Sequence, residues 1–289
     1  MAGLALRPLV RADLDAADAL LRLTFRAERS FRPRLARYLA IEPTGWFVAT
    51  DGGAPVGMVG AIDYGAFAYI GLMAVHPELQ GRGLGREILD HVLAWIAARG
   101  TPSAILEATA AGTPLYLRAG FVDTGCAHEL VATAVRDAGP PPDPTAPDVV
   151  PSAAAGAAAL AELIDLDRDL FGADRSRLWA RLATEYGDAI VGVRDRDGAL
   201  AGYLCVQDSI LGPWGARDDG AARALLAAGL ARADGRAVRV MVPGDNDGAR
   251  ALLAQHGFTL ARSPRHMRRG AAVAIDWRRI YGKGSFCVG

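Results

Sequence analysis

The sequence predicts an α+β protein with two domains, each built on a central, mostly antiparallel sheet flanked by helices. Three observations lead to this class. Strand-like and helix-like segments alternate in mixed order, a proline-rich segment divides the chain near its middle, and the two halves share a repeat. The chain has 289 residues, of which 51% are hydrophobic. Each half is therefore long enough to bury a core of its own.

The dividing segment is residues 137–148, DAGPPPDPTAPD. Proline has no backbone N–H and a fixed φ, so the prolines of this stretch exclude a helix or a central strand. The segment also holds almost nothing to bury, which is typical of a linker. We therefore predict a first domain at residues 1–136, a linker at 137–148 and a second domain at 149–289.

The repeat consists of two pairs of matching segments. QGRGLGREIL at 80–89 matches RDDGAARALL at 217–226, and PLYLRAGF at 114–121 matches ALLAQHGF at 251–258. Both pairs are separated by the same number of residues, without a gap, which indicates a duplicated fold. Residues 189–206 also repeat the hairpin pattern of residues 46–62, in which a polar glycine turn separates two apolar strands.

Hydrophobic periodicity and turn residues predict the elements of the first half in order. Asp13 and Asp15 mark the start of the first helix, because carboxylates are favoured in a first helical turn. The predicted elements are a strand at 4–9, helices at 12–26 and 32–41, a hairpin at 46–62, a strand at 68–75, a helix at 86–99, a strand at 104–107, a short helix containing Tyr116 and a strand after Phe121.

Composition disfavours several classes of protein. Lys and Arg together equal Asp and Glu at 32 each, so the basic excess of a nucleic-acid-binding protein is missing. Three widely spaced cysteines predict neither a disulfide scaffold nor a metal site. The most apolar helical stretch, residues 88–98, is too short to span a membrane and contains charge. We expect a cytoplasmic protein that has no nucleic-acid or membrane partner.

The strongest chemical signal is the segment GLMAVHPELQGRGLGREIL at 71–89. An apolar strand ends at Val75, and Gly81, Gly83 and Gly85 then open a helix. Glycines allow the backbone to approach a ligand closely, and a helix N-terminus favours a phosphate or pyrophosphate. The cationic side chains of Arg82 and Arg86 flank the turn.

Two common phosphate-binding motifs do not fit this segment. The dinucleotide motif GxGxxG requires a glycine where this chain has Arg86. A P-loop requires Gly-Lys-Ser or Gly-Lys-Thr, and the single lysine, Lys283, is followed by glycine. The pattern that fits is Gln-x-x-Gly-x-Gly, residues 80–85.

This pattern, together with Leu-Tyr-x-x-x-Gly-Phe at 115–121, resembles the GNAT superfamily of acetyl-CoA-dependent N-acetyltransferases. The resemblance covers residues 1–135 in the order of their elements. The repeat in the second half, the run LEATAAGTPLY and the aromatic tail at 276–289 are similar to a subgroup with two GNAT domains in tandem. The resemblance implies acetyl-CoA as co-substrate and no metal.

The resemblance also implies a cofactor site and a proton donor. The backbone of Met73 to Val75 is expected to pair with the pantetheine arm, and N–H groups from Gly81 to Arg86 to hold the pyrophosphate. Tyr116 matches the tyrosine that protonates the departing thiolate, a role that a positioned hydroxyl can serve. The implied cofactor-binding residues are Met73, Ala74, Val75, Gln80, Gly81, Arg82, Gly83, Leu84, Gly85 and Arg86.

The general base is less well defined by the sequence. The attacking amine must be neutral, and Glu107, at the end of the strand before Tyr116, is a candidate to take its proton directly or through water. A solvated carboxylate at a strand end is the structural alternative. His76, Glu28 and Asp63 are further candidates.

The second half is predicted to be a degenerate GNAT-like domain. Asp218 and Asp219 replace the positions of Gly81 and Arg82, so two carboxylates would face a pyrophosphate. Leu253 stands at the position of Tyr116 and has no proton to give.

These observations predict an enzyme that transfers acetyl from acetyl-CoA to a primary amine by direct attack in a ternary complex. The acceptor, a small molecule or a peptide, is not defined by the sequence. The alternative is a non-catalytic acyl-CoA-binding module. Both a monomer and a homodimer are compatible with the sequence.

Overall fold

The computed structural model describes residues 5–133, 149–151 and 156–289. The chain forms two compact units. The first contains Met1–Asp123, Met267–Ala272 and Val288, and the second contains Thr124–His266, Val273–Cys287 and Gly289. The predicted linker at 137–148 lies outside the described residues, so the domain limits at 136 and 149 stay predictions of the sequence.

Residues 5–118 of the first unit form four α-helices and five strands, which follow the predicted order. They are β1 (Ala5–Pro8), α1 (Leu14–Phe25), α2 (Arg32–Ile41), β2 (Trp46–Asp51), β3 (Ala54–Asp63), β4 (Ala68–Val75), α3 (Leu84–Ala98), β5 (Ser103–Ala108) and α4 (Thr113–Arg118). Strands β1 to β4 pair antiparallel in sequence order, and β5 joins β4 in parallel.

The first helix begins later than the sequence predicts. Residues Arg11–Asp13 form a 3₁₀ turn, and α1 starts at Leu14. The Asp13 carboxylate accepts the Val10 N–H at 2.9 Å and is held by the Arg7 guanidinium at 2.7 Å. Asp13 therefore fixes the entry to α1 from outside the helix rather than from its first turn.

The core of the first unit lies between the sheet and α3. The apolar stripe of α3 is fully covered, as its periodicity predicts, and it packs on alternate residues of β4 and β5. The β4 and β5 members of this cluster are Ala68, Ile70, Ala104, Leu106 and Ala108. Helix α1 contacts β3 and β4. Tyr69 and Glu107, at intervening positions, therefore point away from α3.

The elements that follow in sequence lie mainly in the second unit. They are β6 (Val122–Ala132), β7 (Val149–Pro151), α5 (Ala157–Phe171), α6 (Ser176–Tyr186), β8 (Ile190–Arg194), β9 (Leu200–Val206), β10 (Leu211–Ala216), α7 (Asp219–Ala233), β11 (Val238–Pro243), α8 (Asp247–Gln255), β12 (Thr259–Arg262), β13 (Arg265–Gly270) and β14 (Ile280–Gly282). The start of β6 and most of β13 belong to the first unit. Strands β7 to β10 and β14 form one antiparallel sheet, in which β14 lies beside β10. The mixed sheets and helices confirm the predicted α+β class.

Each half of the sequence contributes one segment to the unit that the other half mainly forms. Strand β6 follows the first unit in sequence, yet from Thr124 onward it belongs to the second, where it pairs antiparallel with β11 and β12. Conversely, Met267–Ala272 belongs to the first unit, where Ser103 Oγ donates to the Arg269 carbonyl at 3.1 Å. Each unit therefore contains a segment from the other half of the sequence.

Candidate active site

Strands β4 and β5 separate soon after they meet. Their parallel pairing is confined to Ala68 with Ala104 and Tyr69 with Ile105. On its other side β4 pairs with β3 as far as Val75. Among the described residues, the edge of β4 beyond Tyr69 thus has no strand partner on the β5 side. Such an edge offers backbone N–H and C=O groups to an extended ligand.

A β-bulge at Leu72 changes the direction of the β4 side chains. The register with β3 shifts between Met58 and Gly60, and Leu72 has a φ of 50°. A positive φ is rare for leucine and marks a constrained site. Because of the extra residue, Met73 and Val75 face the α3 side, as Ala68 and Ile70 do before the bulge.

The predicted pantetheine-binding backbone lies along this exposed edge. Ala74 pairs with Met58 and Val75 with Gly57, both on the β3 side. The Val75 carbonyl accepts a hydrogen bond from Gln80 Nε2 at 3.0 Å. Gln80 therefore ties the glycine loop to the end of β4, so its side chain positions the loop.

The glycine loop leads into an uncapped helix. Helix α3 begins at Leu84, two residues earlier than predicted, and its N-cap Gly83 has no side chain to accept from the first N–H groups. Gly81 and Gly83 have φ values of 76° and 91°, and no atom lies within 4 Å of the place where a Cβ would stand. Gly85 packs against Leu115. The loop and helix start therefore form an open site suited to an anion.

The two arginines of the loop differ in their surroundings. Arg82 is exposed. The Arg86 guanidinium binds Asp90 at 2.7 Å and donates to the Arg118 carbonyl at 3.2 Å. The Arg86 side chain therefore lies along α3 in this structure, while its backbone N–H donates to the Gly83 carbonyl.

Tyr116 lies on α4, and its side chain is on the same face of the sheet as α3. Its ring is buried, 8% exposed, and packs edge-on against Phe121. Its hydroxyl lies 3.5 Å from the Met73 sulfur, in position to donate to it. The structure thus places a phenolic hydroxyl beside the open edge of β4.

Glu107 lies on the opposite face of the sheet, two residues beyond the last β4–β5 pair. The Tyr69 hydroxyl donates to its two carboxylate oxygens at 2.6 and 2.5 Å. Tyr69 is fully buried, whereas Glu107 is only partly so. Tyr69 was not predicted as a site residue, because only the register of β4 and β5 brings it beside Glu107.

The other candidate bases are placed in turns or on the surface. His76 Nδ1 accepts the Glu78 N–H at 3.4 Å and caps the 3₁₀ turn Pro77–Leu79. Asp63 accepts from the Gly65 N–H and the Thr101 hydroxyl, each at 2.9 Å. Glu28 is exposed after α1.

The corresponding helix of the second unit is closed by its own side chains. Asp218 is the N-cap of α7, and its carboxylate accepts the Ala221 N–H at 2.9 Å. Asp219 accepts the Tyr281 hydroxyl at 2.6 Å. Burial first, and then Asp219, raise the pKa of Tyr281 well above its usual value, so the tyrosine stays a donor to this carboxylate.

The loop before this helix is also shorter. Residues 76–83 connect β4 to α3, whereas only Arg217 and Asp218 connect β10 to α7. Leu253, at the position of Tyr116, is fully buried in the core. The second unit therefore lacks the glycine loop, the uncapped helix start and the hydroxyl.

Within residues 5–133, 149–151 and 156–289, no group of three or more His, Cys, Asp or Glu side chains is arranged to hold a metal ion. In the same ranges, no helix has the length and apolar character needed to cross a bilayer.

Comparison with known families identifies both halves of the chain. The family model described as "Acetyltransferase (GNAT) family" matches residues 14–121, and the model described as "Acetyltransferase (GNAT) domain" matches residues 163–282. Together the two models cover most of the sequence. No curated protein sequence matches the chain.

Solved structures share the fold along nearly the whole chain. A putative acetyltransferase from Pyrococcus horikoshii has a TM-score of 0.85 at 21% identity, covering 100% of this chain and 97% of that one. A GCN5-related N-acetyltransferase from Sphaerobacter thermophilus has a TM-score of 0.69 at 15% identity, covering 92% and 95%. A tandem GNAT protein from the clavulanic acid biosynthesis pathway has a TM-score of 0.65 at 18% identity, covering 94% and 100%.

These matches confirm the resemblance predicted from the glycine loop and the tyrosine motif. The likeness to solved structures concerns the fold, whereas the two family models concern the sequence itself. The chain belongs to the GNAT family of acetyltransferases and carries two GNAT domains in tandem.

Proposed function

We propose that the first GNAT domain transfers the acetyl group of acetyl-CoA to a primary amine by direct attack in a ternary complex. The observation that carries the proposal is the open start of α3, which adjoins the unpaired edge of β4 and the Tyr116 hydroxyl. Family membership supports acetyl transfer in general. A small-molecule or peptide amine as acceptor, a cytoplasmic setting and the oligomeric state stay predictions of the sequence.

The residues present fit acetyl-CoA in two places. The free backbone edge at Met73 to Val75 suits the amides of a pantetheine arm. Of the predicted N–H donors from Gly81 to Arg86, that of Arg86 already donates to the Gly83 carbonyl, whereas those from Gly81 to Gly85, at an uncapped helix start, suit a pyrophosphate. When bound there, acetyl-CoA supplies the acetyl group as a thioester.

We assign Tyr116 the role of the general acid. Its hydroxyl lies 3.5 Å from the sulfur of Met73 on β4. The CoA thiolate, leaving beside the open edge of β4, would take the proton of this hydroxyl. The buried ring fixes the direction of the hydroxyl through its packing on Phe121. We propose that a backbone N–H of β4 near Met73 stabilises negative charge on the carbonyl oxygen.

We assign Glu107 the role of the base that takes the amine proton. It lies beyond the last β4–β5 pair and on the face opposite α3, so it is separated from Tyr116 by the gap between the strands. Acid and base on opposite faces suit an amine and a cofactor that approach from different sides of the sheet. The partial exposure of Glu107 allows the proton to leave to solvent.

We further propose that the second domain binds no acetyl-CoA. The carboxylate of Asp218 already takes the N–H group that an anion would need, and it adds negative charge at the same point. This domain therefore serves as scaffold, including for the segment Met267–Ala272 that it supplies to the first unit.

The test is turnover on a panel of primary amines, followed by the mass of the acetylated products. The panel contains a polyamine, an aminoglycoside, free amino acids and a peptide with a free N-terminus. Tyr116→Phe is expected to lower kcat by roughly 100-fold while acetyl-CoA still binds. Tyr64→Phe, which removes a hydroxyl that donates to the Val288 carbonyl, is the matched control and should leave kcat unchanged. Binding of acetyl-CoA without turnover on any amine would contradict the proposal.

A further inference from the structure

Cys126, His128 and Ser263 form a chain of close polar contacts in the second unit. Cys126 and His128 are two residues apart on β6, so their side chains lie on the same face of the strand. Cys126 Sγ is 3.5 Å from His128 Nε2, and His128 Nδ1 is 2.8 Å from Ser263 Oγ. This is the arrangement of a nucleophile, a base and a group that orients the base.

Cys126 is more exposed than the other two cysteines. It is partly exposed, whereas Cys205 and Cys287 are buried. It lines a very small surface cleft, of about 10 Å³, that Lys283 and Trp277 also line. Gly244 borders this position, and a Cβ on it would stand 2.7 Å from Cys126 Sγ. The absence of a side chain at Gly244 therefore makes room for the sulfur.

His128 is suited to accept the thiol proton. Partial burial, and then the nearby Arg250, lower the pKa of His128 below its usual value, and Asp247 opposes this only in part. The imidazole is therefore neutral at pH 7. In the tautomer that carries its proton on Nδ1, His128 donates to Ser263 Oγ and directs the lone pair of Nε2 toward Cys126.

We propose that Cys126 is a reactive thiol that forms a mixed disulfide with a low-molecular-weight disulfide, with His128 as its base. His128 Nε2 takes the proton of the Cys126 thiol, and the thiolate attacks one sulfur of the disulfide RSSR. A Cys126–SR bond forms and the RS–SR bond breaks. The departing RS⁻ takes the proton back from His128 and leaves as RSH, so that Cys126 is oxidised and the second RS group is reduced.

The test uses 4,4′-dithiodipyridine for the rate and oxidised glutathione for the mass of the adduct, both on the folded full-length protein. One thiol should react at pH 7 roughly tenfold or more faster than the thiol of a short peptide containing residues 122–130. Peptide mapping should place the adduct on Cys126. Cys126→Ser should abolish the fast reaction, and Cys205→Ser and Cys287→Ser should retain it.

His128→Gln is the decisive variant, because it removes the base and keeps a polar side chain. It should slow the modification by roughly tenfold or more. Ser263→Ala leaves the imidazole in place without its partner and should slow the reaction by a smaller factor, which keeps the test open if His128→Gln unfolds. A Cys126 that reacts no faster than the peptide thiol, or that reacts equally fast in both variants, would overturn the proposal.

Discussion

Tyr69 donates its hydroxyl to the two carboxylate oxygens of Glu107, at 2.6 and 2.5 Å. The two side chains join β4 and β5 at the point where the strands stop pairing. These contacts hold the Glu107 carboxylate in one orientation beside the gap between β4 and β5. Tyr69 is therefore a positioning residue for the proposed base.

We expect Glu107→Gln and Tyr69→Phe to lower turnover to different extents. Glu107→Gln removes the base and should lower kcat/KM by roughly 100-fold, and Tyr69→Phe frees the carboxylate and should lower it by roughly tenfold. Steady-state kinetics at saturating acetyl-CoA measure both. The pH profile separates the roles, because Tyr69→Phe should keep the acidic limb, where activity falls as the base is protonated, and Glu107→Gln should lose it. Equal activity of wild type and Glu107→Gln would remove Glu107 from the mechanism.

The start of α3 should be sensitive to a single carboxylate. Gly83→Asp gives α3 an acidic N-cap like the one that Asp218 gives α7, and it should weaken acetyl-CoA binding by roughly tenfold or more. Isothermal titration calorimetry measures the affinity. Gly65→Asp is the matched control, since Gly65 also has a positive φ, 80°, and open space around it but lies in the β3–β4 turn. If both variants bind acetyl-CoA as tightly as wild type does, the loop is not the anion site.

The second unit depends on a buried ion pair. Arg175 and Asp167 are 1% and 0% exposed, and the guanidinium donates to both carboxylate oxygens at 3.0 and 2.5 Å. Tyr203 donates to the same carboxylate. Arg175→Met should destabilise the unit by about 3–5 kcal/mol, because it leaves a charge buried without its partner.

Urea denaturation, followed by tryptophan fluorescence, measures this loss. The double variant Arg175→Met with Asp167→Asn should recover part of the stability, since no charge is then left behind. A double variant that is no more stable than Arg175→Met alone would show that loss of the pair, rather than the orphaned charge, carries the energy.

The Arg7–Asp13 pair should make stability depend on pH at the acidic end. The hydrogen bond from Arg7 lowers the pKa of Asp13 below its usual value. A carboxyl with a lowered folded-state pKa stabilises the fold above its unfolded-state pKa, and this contribution is lost as pH falls through the folded-state value. The Arg7 side chain is 39% exposed and solvent screens the pair, so the contribution is about 0.5–1 kcal/mol.

Thermal unfolding of wild type and Asp13→Asn between pH 7 and pH 3 measures the contribution. Wild type should be more stable at pH 7, and the difference should shrink toward pH 3. A difference that stays constant with pH would show that Asp13 acts only through its hydrogen bond with the Val10 N–H.

Much of the first unit follows from local sequence. The apolar run at 68–75 and the proline near the start of 32–41 define β4 and α2 at the bounds that the structure has. The start of α3 was predicted two residues too late, because glycine at position 85 is typical of a loop. In the structure α3 already begins at Leu84. The bulge at Leu72 has no local signal, since leucine disfavours a positive φ and only tertiary packing imposes it.

The pairing of strands that are distant in the chain could not be predicted from the sequence. Nothing local in residues 124–132 distinguishes a partner in its own half from β11 and β12 in the other. The glycine loop and Tyr116 were predictable because each carries a motif. Tyr69 was not, because its role depends on the register that brings it to Glu107.

The central claim is that the start of α3 is the acetyl-CoA site of the chain and that the start of α7 is not. Isothermal titration calorimetry of the full-length protein with acetyl-CoA tests it most directly, through the number of sites. We predict one site per chain, weakened by roughly tenfold or more in Gly83→Asp and unchanged in Asp218→Asn. Two sites per chain, or one site that survives Gly83→Asp and is lost in Asp218→Asn, would contradict the account.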